Sequence, residues 1–170
     1  TAKGTGCEVR GVCGKTEQVA KLQDLLIHSL KGLALVVRSA GLDVAGLSEA
    51  NHETLKSLFL TITNANFDEA AIEAQIRKVV AIRDSLKTRT GVTCTHDATT
   101  FVPGDRAAMI EKAAAIGVLA TSNEDVRSLR ELVIYGLKGM AAYTHHALNI
   151  GSENPAISSF LDEALAAVTD

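Results

Sequence analysis

The sequence predicts an all-α fold of two three-helix-bundle units related by an internal repeat, the second unit incomplete. Three observations lead there. Aromatic residues make up only 4% of the 170, tryptophan is absent and there are 2 prolines, while Ala, Leu, Glu and Lys abound, a balance that favours helices over strands. Apolar residues recur three or four apart over long stretches, the spacing of one helical face. One thirteen-residue pattern also occurs twice. With 46% hydrophobic residues, the chain has enough apolar side chain to bury a core.

Residues 1–15, TAKGTGCEVRGVCGK, set four glycines around Cys7 and Cys13. Such density breaks helices and permits tight backbone paths, so this head reads as a glycine-rich cysteine loop. Thr16 is an N-cap candidate, and Val19, Leu22, Leu26, Leu30, Leu33 and Val37 line one face of a first helix that stops at Gly41. A second helix is expected over 51–63. A third is expected from Asn66, whose side chain can cap, with Glu69 three residues on as in a capping box; Ile72, Ile76, Val79, Val80 and Leu86 supply its stripe. These elements form the first three-helix bundle, residues 16–87. Residues 88–104, rich in Thr and Gly and without helical period, read as a connector. The second helical bundle, 105–170, opens with a short alanine-rich helix from Asp105 to Ile116, closed by Gly117. A long helix follows over 124–149. The last begins at Asn154-Pro155, with proline at the first helical position, where its missing N–H is harmless.

The repeat is the strongest internal signal. Leu22 to Ala34 reads LQDLLIHSLKGLA and Leu129 to Ala141 reads LRELVIYGLKGMA, identical at seven of thirteen positions with a constant offset of 107. Two merely amphipathic helices would share a period but not the same residues in the same phase, so a duplication is expected. Gly32 and Gly139 hold matching mid-helix positions at a cost of ~1 kcal/mol each relative to Ala, which points to a close approach of another helix. The first unit follows its long helix with two more, the second with one.

A formal net charge of -3 argues against a phosphate backbone as partner, since such binding needs clustered Lys and Arg. No apolar stretch approaches the ~18 residues of a membrane span, and the amino end lacks the pattern of a secretory signal, so a cytoplasmic protein with no membrane partner is expected. The 3 cysteines are an odd count in a chain too large to need disulfide staples, which suits a reducing compartment and thiols free for metal. The chain opens at Thr1 rather than Met, and a preceding segment is expected.

Cys7 and Cys13, in C-x5-C spacing on the glycine loop, suit thiolate ligation of iron–sulfur or zinc, because small residues let backbone N–H groups approach the sulfurs. Two thiolates are half of a four-ligand site. Unpaired structural cysteines are the competing reading of the bare spacing. Cys94 and His96 in the connector read as a surface-loop pair without a role. His145 and His146 are adjacent and point about 100° apart on a helix, unsuited to a shared metal. Asp24 and Glu131, like Lys31 and Lys138, occupy matching repeat positions and read as intrahelical or interhelical pairs, not as acid–base machinery. No nucleophile, base and orienting residue come together, and no catalytic residue is assigned.

The segments TAKGTGC, GVCGKT, LQDLLIHSLKG, LTITNANFD, GVLATSNEDVRSLREL and AAYTHHAL together resemble the amino-terminal helical domain of hybrid cluster proteins, the prismane or hydroxylamine reductase family. The similarity runs from Thr1 to Thr169. It implies that Cys7 and Cys13 are cofactor-binding, metal-ligating residues of a 4Fe–4S cluster, completed in the family by a C-x-x-C pair just before the Thr-Ala-Lys segment, which this sequence lacks. It further implies that the chemistry, reduction of hydroxylamine or nitric oxide, occurs at a hybrid iron–sulfur–oxygen cluster held by later domains. This segment would then be an electron-entry domain, inactive by itself. The implied partners are the remaining domains of the parent chain, a redox donor protein and a small nitrogen-oxide substrate; a homodimer is the further candidate assembly. A cluster-free helical interaction or scaffold module built on the same fold is the alternative.

Overall fold

The computed structural model describes residues 13–169, and within them the fold is all-helical. Helix α1 spans Glu17–Ser39, α2 Ser48–Leu60, α3 Glu69–Thr90, α4 Asp97–Thr100, α5 Arg106–Ile116, α6 Glu124–Asn149 and α7 Pro155–Ala167, with single 3-10 turns at Val44–Gly46 and Val118–Ala120.

The helix starts follow side-chain chemistry. Thr16 Oγ1 accepts the N–H of Val19 at 3.2 Å, as expected, and Asp105, Asn123 and Asn154 cap α5, α6 and α7 in the same way. The expectation for α3 needs correction. Asp68, not Asn66, is the N-cap, its Oδ1 accepting the N–H groups of Ala70 and Ala71, while Asn66 Oδ1 accepts the N–H of Asp68 at 2.7 Å and shapes the turn before it. Glu69 is therefore the first helical residue and not the third, so no capping box forms. The expected 51–63 helix lies over Ser48–Leu60, and α3 continues through Thr90 until Gly91 takes the left-handed conformation at φ 67.

Helix α1 is the axis of the molecule. It packs most extensively on α3, and α7, α5 and α4 cover its other sides, so Leu22, Leu25, Leu26, Leu30, Leu33 and Val36 are all buried around its circumference. Helix α2 packs chiefly on α6. One hydrophobic cluster runs from Val19 to Val168.

The segment read as a connector, residues 88–104, packs into this core. Ala98 and Thr99 of α4 are fully buried. The guanidinium of Arg83, itself only 1% exposed, donates to the carbonyls of Ala98 and Phe101 at 2.8 Å each, and Lys87 donates to the carbonyl of Thr99 at 3.1 Å. A buried arginine is tolerable because it answers carbonyls that a four-residue helix leaves unpaired. Gly32 is what lets the segment in: a Cβ there would lie 2.0 Å from the Ala98 carbonyl oxygen. The close approach expected at Gly32 is thus made by the connector backbone. At Gly139 nothing beyond its own turn of helix and its chain neighbours lies within 4 Å of the equivalent position among the described residues.

Candidate functional site

Two features carry functional chemistry, the thiol-bearing head and a polar cavity. Cys7 lies outside the described residues. Cys13 is a free, half-buried thiol three residues before the cap of α1, next to Gly14, whose φ of 91 is a backbone conformation that glycine adopts without strain. The residue therefore lies just before the amino terminus of α1. Lys15 donates to Gln23 Oε1, and Gln23 in turn donates to the carbonyl of Asn66 at 3.2 Å, which ties Lys15 to α1 and the α2–α3 turn. Among the described residues no group of three or more His, Cys, Asp or Glu side chains could hold a metal ion.

The cavity, about 240 Å³, lies between α1 and α6 beside the Val118–Ala120 turn. The four charged residues at matching repeat positions, Asp24, Lys31, Glu131 and Lys138, all line it. Among the described residues they form no ion pair with one another, contrary to the pairing read from sequence. Burial, reinforced by Glu131, raises the Asp24 carboxyl to about 6, with Lys138 and the Val118 backbone amide acting against the shift. Burial also lowers the Lys31 and Lys138 ammonium groups, Glu131 opposing it at Lys31 and Asp24 at Lys138. The Asp24 carboxyl is thus held above its ordinary range by its surroundings in the cavity. The matching positions of the four charges were the signal that could have found the cavity.

His28 and Asp97 close the connector end of the cavity. Asp97 Oδ2 lies 3.0 Å from the buried His28 Nε2, an ion pair only when the ring is protonated. Burial lowers His28 to about 4, outweighing the attraction of Asp97. Burial would raise the Asp97 carboxyl, but the Lys112 ammonium, 2.5 Å from Oδ1, holds it below its ordinary value. His96 caps α4, its Nδ1 accepting the N–H of Ala98 at 3.0 Å, and Cys94 packs half-buried against the core, so this pair has a structural place that the surface-loop reading did not give it. His145 and His146 flank Phe59, one ring stacked at 5.2 Å and the other edge-on at 5.5 Å. That arrangement is packing and not ligation.

No helix among the described residues is long and apolar enough to cross a membrane. Residues 2–170 match the model of the Prismane/CO dehydrogenase family. The chain is 55% identical over its full length to a hydroxylamine reductase of Acetivibrio thermocellus and covers 31% of that protein. It is 49% identical to one of Desulfitobacterium hafniense, again over the whole chain and 32% of the relative. To one of Bacteroides fragilis it is 47% identical over 99% of the chain and 31% of the relative. It therefore spans about a third of the length of these named oxidoreductases, matched along essentially all of its own. With an all-helical fold and a family match from end to end, the chain belongs to the Prismane/CO dehydrogenase family.

Proposed function

We propose that this chain is the amino-terminal, iron–sulfur, electron-entry domain of an enzyme that reduces hydroxylamine or nitric oxide. The observation that carries the reading is the family match combined with a free, half-buried thiol at Cys13, separated from Cys7 by five residues and followed by Gly14. The donor chemistry fits an iron–sulfur centre, since thiolates are its ordinary ligands, and Cys13 and Cys7 would supply two of the four. When bound, a 4Fe–4S cluster accepts and passes on one electron. The chain's own part is to hold the sulfurs: Gly14 lets the backbone turn, and Lys15 is fixed to α1 through Gln23.

Reduction of the nitrogen-oxide substrate would take place in a region of the relatives that this chain does not span, at a hybrid iron–sulfur–oxygen cluster. The remaining domains and a redox donor protein are the partners this implies, in a reducing cytoplasm that keeps the thiols available. The test is iron and acid-labile sulfide analysis, with electron paramagnetic resonance after reduction, on a version extended upstream by a C-x-x-C pair. Close to four irons per chain are expected with the full ligand set, falling sharply in Cys13→Ser. An iron-free protein, or full iron in Cys13→Ser, overturns the assignment.

A second reading is favoured by the row of exposed apolar residues on α6. It makes the chain a cluster-free helical interaction module. The same iron analysis separates the two.

A further inference from the structure

A buried carboxyl that the electron-entry reading does not use lies on α7, the helix that covers one side of α1. At the offset of 107 that aligns the two thirteen-residue segments, Ser48–Leu60 of α2 falls on Pro155–Ala167 of α7, and the packing is crosswise, α2 on α6 and α7 on α1. The two helices also bury the same positions. Residues 51, 54, 55, 57, 58 and 61 are buried in α2 and its cap, and so are 158, 161, 162, 164, 165 and 168 in α7 and its cap. At most of these the α7 residue is at least as apolar as its match, with Leu161 for Thr54, Ala164 for Ser57, Leu165 for Leu58 and Val168 for Thr61. Asp162 is the exception: it is 6% exposed at the position where α2 places Leu55, 3% exposed.

The buried acid of α2 shows by contrast what Asp162 lacks. Glu53 accepts from Gln75 Nε2 at 2.7 Å and from Lys78 Nζ at 2.6 Å, whereas among the described residues the Asp162 carboxyl makes no hydrogen bond and no ion pair. Of the elements that pack chiefly on α7, α1 brings one charge to bear on it, that of Arg38, exposed in the last helical turn; among the described residues the Val44–Gly46 turn and α6 bring none. An ionised carboxyl is costly to bury without a partner, and a neutral one far less so. We propose that Asp162 is a proton-operated latch between α7 and α1: the neutral carboxyl seats α7, and the carboxylate loosens it. Burial raises the Asp162 carboxyl from 3.8 to about 7, with Arg38 opposing. Between those values the seated helix holds a proton that the released helix gives up. The seat is therefore firmest below about pH 4, weakens as pH rises to about 7 and levels off above it.

The test is amide hydrogen exchange of the 170-residue protein between about pH 5 and pH 8, expressed as protection factors so that the intrinsic pH dependence of exchange drops out. Protection of the α7 amides falls at least roughly tenfold over that range, and that of the matching α2 amides falls less. Asp162→Asn removes the α7 fall. Asp162→Leu, which installs the residue α2 carries at this position, also removes it and raises Tm at pH 8 by about 2 °C or more. Arg38→Gln carries the fall to higher pH, because the charge that opposes the shift is gone. An α7 fall of the same size in Asp162→Asn overturns the proposal. So does a parallel fall in α2 and α7 of the unsubstituted protein, because pH then acts on the whole fold, to which Asp24 also contributes. If Asp162→Leu does not fold, the isosteric Asp162→Asn decides.

Discussion

Helices α1 and α6 share seven of thirteen residues in their central segments, yet α1 is enclosed by four other helices while α6 shows solvent a row of leucine, valine, methionine and tyrosine side chains. Both carry the same apolar stripe, so the stripe alone does not set burial. Each large apolar side chain yields roughly 1.5–3 kcal/mol only when something covers it. Around α1 the cover is α3 and the connector, held by Arg83; α6 receives α2 on one side and leaves the other open. A helix pattern is thus half of an interaction, and its energy depends on where the rest of the chain goes.

That comparison can be broken most directly by truncating equivalent leucines. Leu25→Ala, at a fully buried site, should destabilise the protein by about 2–5 kcal/mol in urea unfolding, whereas Leu132→Ala at the matching position should stay within about 0.5 kcal/mol. Equal losses would mean that the two faces are equally covered. Next in size is the clamp that gives α1 its connector cover. Arg83→Met leaves the Ala98 and Phe101 carbonyls unanswered and should cost about 2–4 kcal/mol, with exchange of the α4 amides accelerating before global unfolding. Gly32→Ala forces a Cβ against the Ala98 carbonyl and should cost about 1–3 kcal/mol, opposite in sign to Gly139→Ala in this chain.

The smallest effects sharpen the comparison through pH. Asp24 has its carboxyl raised from 3.8 to about 6, so between those values the folded state binds the proton and the unfolded state does not. Stability from this group is therefore highest below pH 4 and declines as pH rises through 6. Asp24→Asn should remove that decline, gaining on the order of 1–2 kcal/mol at pH 7.5 and little at pH 4. His28 runs the other way: lowered from 6.5 to about 4, it costs stability as pH falls through that window. The matching residue in α6 is Tyr135, which is exposed, so His28→Phe should flatten the acid side of the profile and Tyr135→Phe should not. Unchanged profiles in both Asp24→Asn and His28→Phe would show that the cavity is wetter than its geometry indicates.

Much of the architecture was legible because it is local. The cap at Thr16, the helix starts at Asp105 and Asn154, proline at the first position of α7 and the stop at Gly117 depend on a few neighbouring atoms, which adjacent residues supply. The start of α3 was misplaced by a choice between two nearby cap residues, Asn66 and Asp68, that only the turn geometry resolves. Cys13 was legible as a thiol on a permissive turn. The cavity was not: Asp24, Lys31, Glu131 and Lys138 read as ion pairs until the helices were seen to set them around a shared space.

Helix identity, caps, apolar stripes and the matched segments follow from residue order, because they depend on forces acting over a few residues. The fate of the connector, the fully buried guanidinium of Arg83, the acid shift of His28 and the unequal cover of α1 and α6 do not. They arise where residues far apart in sequence meet. Desolvation and close packing act on whatever lies adjacent in space, and that adjacency exists only once the chain has folded.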